Sequence, residues 1–298
     1  MSEKELQVEK PESEMKAIWE SLKENKTALA GMLIVIFLIL VALVTWIADL
    51  AGIQILPYNP DMSSMSESFM TPCAQHWFGT DELGRDIFSR VIDGTKISLF
   101  VGFAVVVFSA GIGVIIGAFA GYKGGAVDTV IMRFMDIMLS TPSILLAITL
   151  MAALGKGMDK AIIAIGVVSI PEYARITRGS VLSAKESDYA QAAKVVGNKD
   201  KRIIFKHILP NIISPIIVRA TLGVSSAIMD TAALGFLGLG VQPPMAEWGD
   251  MLGRAKGYIF SAPYTLIFPG IAITLTVLAF NMFGDGLNDA LDPKSRKR

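Results

Sequence analysis

The chain has little of what most enzymes and nucleic-acid binders are built from. It has one cysteine, Cys73, and two histidines, His76 and His207, in 298 residues. A single cysteine excludes an intrachain disulfide and a cysteine-based metal site, and two histidines so far apart argue against a histidine-rich one. Charge excess is missing as well: 27 Lys and Arg balance 27 Asp and Glu, so no nucleic-acid-binding surface is implied. No G-x-x-x-x-G-K-[ST] run occurs. Lys156 follows Gly155, but Leu150 stands where the first glycine would be. The chain therefore has no phosphate-cradling loop and is expected to bind no cofactor; if its work needs ATP, another polypeptide hydrolyses it. No clustered nucleophile and base support an enzyme, and carboxylates are too scarce inside the apolar blocks to favour an autonomous ion-coupled carrier.

What is abundant is apolar sequence. The chain is 52% hydrophobic, with a mean hydropathy of +0.53. The apolar residues come in blocks of about twenty, the length that crosses a bilayer. The first block, Ala28 to Ala48, has 21 residues and no charge. At ~1.5 Å per residue it reaches about 31 Å, enough for the hydrocarbon core. The 27 residues before it carry seven acids and five lysines, unlike a cleaved signal sequence, so a retained first helix is expected. Five more spans follow: Ile97–Gly121, Phe134–Leu154, Ala161–Ile176, Ile212–Leu234 and Tyr264–Phe283. The fold expected is an all-α polytopic membrane protein of six transmembrane helices. It divides into a tail (1–27), a first helix (28–49), an outward loop (50–96) and a core (97–298) that holds five helices and a basic loop (177–211).

Lys and Arg set the orientation. Nineteen fall in the two tails and in the Tyr122–Arg133 and Arg175–Lys206 segments, seven fall in the alternate loops, and Arg219 lies inside the fifth span. Positive charge marks the cytoplasmic side, which places both termini and the Arg175–Lys206 loop in the cytoplasm of the expected prokaryotic cell membrane.

The loop from Tyr189 to Pro210, YAQAAKVVGNKDKRIIFKHILP, is unusual because it is polar, basic and helix-forming between two spans. Ser187 or Asp188 can cap a short helix. Tyr189, Ala192, Ala193 and Val196 then recur at helical spacing as one small-residue stripe. Gly197 fits the left-handed position that ends a helix. Asn198 can cap a second helix in which Ile203, Ile204 and Ile208 share a face, and Pro210 ends it. Two uses stay open: docking into a partner's groove, which alanines permit, or lying on anionic lipid, which the lysines favour.

At this point the loop resembles the EAA motif of permease subunits in binding-protein-dependent ABC importers. Gln191, Ala192, Ala193, Gly197, Leu209 and Pro210 hold the motif's positions. Gln191 replaces the usual Glu, and His207 stands where the pattern has Ile. The segments His76–Leu99, Leu234–Leu252 and Phe280–Lys294 resemble the dipeptide/oligopeptide branch and its C-type permease subunit. The resemblance implies the MetI-like permease fold. It also implies a second homologous permease, two ATPase subunits that use the ATP, and an extracytoplasmic substrate-binding protein. Tyr189 and the motif residues would then form the ATPase-coupling loop. Related systems carry dipeptides, longer peptides, nickel complexes or glutathione.

Three further features stay open on sequence alone. Gly113, Gly117 and Gly121 form a ladder for close helix contact or line the pathway. Asp230, toward the outer end of the fifth span, lines the pathway or joins an ion pair within the bundle or with another subunit. Asp81, Glu82, Arg85 and Asp86 fit an outward surface helix with i, i+4 charge pairs. Gly235, Gly238 and Gly240 are expected to turn the chain at the end of the fifth span.

Overall fold

Asparagine, glycine and proline punctuate the helices of this chain. The structure, a computed structural model, describes residues 14–291. The first thirteen residues of the expected tail and the basic residues after Asp292 lie outside the described residues. Within that range the chain forms α1 (Glu14–Glu24), α2 (Lys26–Ala51), α3 (Ile87–Lys123), α4 (Gly125–Ser140), α5 (Ser143–Leu154), α6 (Met158–Ala184), α7 (Asp188–Val195), α8 (Asp200–Arg202), α9 (Ile213–Phe236), α10 (Trp248–Ala255) and α11 (Tyr264–Leu291). One isolated bridge, Thr80 with Asp86, is the only β pairing among the described residues.

Asn25 separates α1 from α2. Its side-chain oxygen accepts the backbone N–H groups of Thr27 and Ala28, both at 3.1 Å, and so satisfies donors the first turn of α2 leaves free. Leu22, Ala28 and Ala290 bury together and fix α1 against the end of α11. Asp86 starts α3 in the same way, accepting from Ser89 N–H at 2.7 Å. α3 thus begins ten residues before the apolar stretch Ile97–Gly121. Its 37 residues span about 55 Å, more than a bilayer core, so its first turns rise beyond the membrane.

Four helices are long and apolar enough to cross a membrane: α2, α3, α11 and the continuous helical run Asp200–Phe236 that contains α9. The expected third span, Phe134–Leu154, is not one rod. α4 and α5 meet at 94°, and only as a bent pair do they supply a fifth crossing. The cause is Pro142: the residue before a proline is pushed out of the helical region, and Thr141 sits extended at φ −94°, ψ 134°. α6 covers the expected fourth span and has 27 residues, yet Asp159, Lys160, Glu172, Arg175 and Arg178 make it too polar to pass as a span by composition.

α3 and α6 share the most extensive contact in the bundle. A Cβ on Gly117 would lie 2.2 Å from the Ala174 carbonyl oxygen, and one on Gly113 would lie 2.6 Å from Tyr173 Cβ. The glycine ladder is therefore a helix–helix contact. On the charged side of that contact, both Asp128 oxygens accept from Arg178 at 2.5 and 2.6 Å, and Arg175 donates to Asp136 at 2.6 Å, tying α4 to α6.

The segment between α2 and α3 is a folded cap rather than a surface helix. Arg85 donates to Asp81 at 2.7 Å, the Asp86 carboxylate is 2.9 Å from His76 Nδ1, and Arg90 is almost fully buried. The i, i+4 spacing of these charges read as a solvated helix; it belongs to a loop that folds its charges inward. At the far end of α9, Gly238 at φ +73° turns the chain, and α10 folds back onto α9. Trp248, wholly buried, donates from Nε1 to the Val91 carbonyl at 2.9 Å and so pins α10 to α3.

Candidate functional site

α7 and the run after it make a compact elbow. Ser187 occupies the N-cap position of α7, without a side-chain cap bond. The helix ends on Gly197 at φ +82°. Gly197 N–H donates to Lys194 O at 2.9 Å and Asn198 N–H to Ala193 O at 3.2 Å, the paired bonds of a Schellman cap. Asn198 also donates its side-chain amide to Ala193 O at 2.9 Å. It thus closes the first helix instead of capping the second, which Lys199 precedes without a side-chain cap.

The second helix does not end at Pro210. One α turn gives way to a π-helical stretch at Ile203–Ile208 and a 3-10 turn at Leu209–Ile212, which run on into α9. Leu209 N–H reaches back five residues to Ile204 O. This wider turn, followed by a tighter one, carries the helix past a proline that an unbroken α-helix would exclude.

The expected small-residue stripe divides between two faces. Ala190 and Ala193 are buried against Ile203, Ile204 and Ile208, with Ala118 of α3 and Val181 of α6 in the same cluster. Tyr189, Gln191, Ala192 and Gly197 are exposed. Val195 and Val196 are 86% and 82% exposed, and Phe205 is exposed beside Lys206. Adjacent apolar side chains left bare on a helix end mark a surface meant to be covered. Val195 and Phe205 escaped the periodic stripe. The Val195–Val196 pair just before the terminating glycine was the available signal. Gln191 donates to Glu186 O at 3.0 Å, an uncharged contact within the loop. Leu209 is partly buried and Pro210 exposed. Asp200 accepts from Lys123 at 2.7 Å, which joins the elbow to the end of α3.

A second feature lies inside the bundle. A cavity of about 320 Å³ is bounded by α3, α6 and α9 and the start of α5. Asp230, half-buried, lines it and has no ion-pair partner among the described residues, so the bundle pairing considered from sequence is not found. Arg219 and Glu172 line the same cavity and pair with each other. The Arg219 guanidinium lies 5.7 Å from the centre of the Tyr173 ring.

Outside the spans, Glu247 is the buried acid without a facing cation. Its oxygens accept the N–H groups of Gly249 and Asp250, each at 2.8 Å, at the start of α10. Burial pushes its carboxyl up to about 7, against the pull of these two bonds. Among the described residues no group of three or more His, Cys, Asp or Glu could hold a metal ion.

Residues 113–297 match the family described as the binding-protein-dependent transport system inner membrane component, and residues 13–72 match the N-terminal transmembrane domain of oligopeptide transport permease C. The dipeptide transport system permease protein DppC of Alkalihalophilus pseudofirmus is 49% identical over 93% of this chain and 89% of its own length. The di/tripeptide permease DppC of Pseudomonas aeruginosa is 45% identical over 95% and 93%, and the glutathione permease GsiD of Pectobacterium atrosepticum is 43% identical over 93% and 90%. An inward-facing structure of the MetNI methionine ABC transporter superposes with a TM-score of 0.57 at 19% identity, over 68% of this chain and 96% of that one, a likeness of fold.

Proposed function

The chain belongs to the binding-protein-dependent transport system inner membrane components, and from that premise we propose that it imports short peptides together with a second homologous permease, two ATPase subunits and an extracytoplasmic binding protein. It is a multi-pass permease subunit of an ABC importer in the inner membrane. Catalysis of ATP hydrolysis falls to the ATPase subunits, since the sequence has no phosphate-cradling loop. Both termini and the elbow face the cytoplasm, as the Lys and Arg distribution supports.

The observation that carries the reading is the elbow's bare face. Tyr189, Gln191, Ala192, Val195 and Val196 stand exposed on a helix whose other face is packed on isoleucines of the same loop. That arrangement suits a rigid foot in a groove of an ATPase subunit. It suits lipid less well, because alanine and glycine insert weakly. Gly197, Leu209 and Pro210 shape the foot. Nucleotide closure of the ATPase pair moves it, and the motion biases the bundle between outward- and inward-open states through contacts that differ between them. Asp230 lines the path that peptide takes.

Short peptides are the preferred cargo because the dipeptide permease of Alkalihalophilus pseudofirmus and the di/tripeptide permease of Pseudomonas aeruginosa are 49% and 45% identical to this chain. Glutathione, itself a tripeptide, is the second reading, supported by the glutathione permease at 43%. The test is reconstitution of the chain and its partner permease in vesicles, with loaded binding protein outside. Uptake is expected only with ATPase subunits and ATP present; uptake without them would return the chain to the ion-coupled carriers.

A further inference from the structure

The cavity between α3, α6 and α9 has a charge arrangement that the coupling argument does not use. Arg219 and Asp230 are eleven residues apart on α9, which places them about three turns and ~16 Å apart, within about 20° of one face. Between them Ser226 and Met229 are exposed and Ser226 and Gly223 line the cavity, so this face of α9 is polar, small and open. One end carries an unpaired carboxylate and the other a guanidinium.

Neither charge is idle decoration in a membrane. A carboxylate without a countercharge is expensive there, and Asp230 finds no cation among the described residues. Arg219 pairs with Glu172, and a guanidinium has five donors in a planar fork, more than one carboxylate can use. Its remaining donors are available to a second carboxylate. The buried Tyr173 hydroxyl, near Ser109, belongs to the same cavity wall. Arg219 with Glu172 is neutral as a pair, so the charged side chains that line the cavity sum to the one negative charge of Asp230.

We propose that this cavity is a two-ended site for a zwitterionic short peptide: Asp230 takes the ammonium terminus, Arg219 takes the carboxylate terminus, and Glu172 occupies Arg219 while no peptide is present. The inference deepens the importer reading and rests on it. An extended chain covers about 3.3–3.6 Å per residue, so backbones of two to about five residues reach across ~16 Å less the reach of the arginine stem. Asp230 lies nearer the α10 end, where peptide enters, and attracts the ammonium first. The carboxylate then exchanges with Glu172 on Arg219, a swap of one charge-assisted contact for another, and the displaced Glu172 carboxylate, itself partly exposed, turns to the open side of the cavity. A built-in competitor also keeps the peptide from being held too tightly to leave.

The test uses the complete transporter in proteoliposomes, with radiolabelled trialanine loaded on the binding protein. Arg219→Gln and Asp230→Asn each raise the loaded-binding-protein concentration for half-maximal uptake by about tenfold, the loss of one charge-assisted contact, and Arg219→Lys and Asp230→Glu recover most of it. Glu172→Gln shifts it the other way, because Arg219 has lost its competitor. A Glu172 that merely joined α6 to α9 would share the Arg219→Gln defect instead. A Glu172→Gln shift of the same sign as Arg219→Gln, or native behaviour of Asp230→Asn, overturns the two-ended site and leaves the importer reading standing. Absence of ATP-dependent trialanine uptake by the native complex overturns the peptide-importer reading itself.

Discussion

Gly197 holds φ +82° at the apex of the elbow, with open space where a Cβ would project. The constraint there is torsional. A β-branched residue in that region costs on the order of 1–3 kcal/mol, so Gly197→Val opens the Schellman cap that joins α7 to the run after it. Peptide-stimulated ATPase activity and uptake in the reconstituted complex are both expected to fall severalfold in this variant. Glu247 makes a prediction in pH. Burial raises its folded-state value to about 7, above that of an unfolded glutamate near 4.5. Its stabilising protonation is complete at low pH and is lost as pH rises through 7. The melting temperature of the purified protein should decline between pH 5 and pH 8, and Glu247→Gln should flatten that decline; an unchanged slope would remove Glu247 from the account. At this scale the glycine was legible in the sequence, because a helix terminator acts locally. Glu247 was not, because what shifts it is burial under α9, more than ten residues away in sequence.

At the scale of elements, the fit of α3 on α6 depends on bare backbone. A Cβ at Gly117 would stand 2.2 Å from the Ala174 carbonyl oxygen, and the obstacle is main chain that no rotamer change moves aside. Gly117→Val forces the helices apart and should destabilise the protein by about 3 kcal/mol or more, by the overpacking rule. Gly111 lies on the same helix with nothing within 4 Å of its would-be Cβ. Gly111→Ala should be neutral or raise stability by about 0.5–1 kcal/mol, through lower chain entropy. Thermal unfolding in detergent compares the two. The elements themselves were partly legible. The ladder of Gly113, Gly117 and Gly121 announced a close approach but not its partner, which is set by tertiary packing. Pro142 in the third span is a local helix breaker, but the 94° between α4 and α5 is set by what each half packs against. Helical spacing groups Ala192 and Ala193 in one stripe, but neighbours on a short helix differ by about 100°, and which of the two faces in is decided by the isoleucines of the following helix. The charges at Asp81–Asp86 failed as a helix because i, i+4 spacing says nothing about whether the backbone around it is helical.

For the whole molecule, sidedness is the testable quantity. The elbow lies at one end of the bundle, and exposed Cys73 belongs to the cap between α2 and α3. In intact cells Cys73 should react with a membrane-impermeant maleimide. In a Cys73→Ser background, Lys201→Cys should react only after permeabilisation. Labelling of position 201 from outside would reverse the molecule and sink the coupling reading. The membrane class was legible at this scale from blocks of about twenty apolar residues alone. The uniform count of six spans was not, since α6 carries its polar residues toward partners in the bundle: Arg178 to Asp128, Arg175 to Asp136 and Glu172 to Arg219. Composition scores those side chains as misfits in lipid, while the fold uses them as ties between helices.

The passage from the elbow into α9 has a mechanical meaning. From Asp200 to Phe236 the backbone runs on as one helical stretch that changes pitch three times, the last change marked by Ile212 at φ −112°, ψ 16°. The second arm of the elbow and the cavity wall are thus parts of one run about 55 Å long at ~1.5 Å per residue, though somewhat foreshortened by the wide turns, with the foot capped onto its start. On the coupling proposed above, a push on the foot is carried along this run to Arg219 and Asp230, so that the stroke of the motor and the shape of the passage are tied by one stretch of backbone.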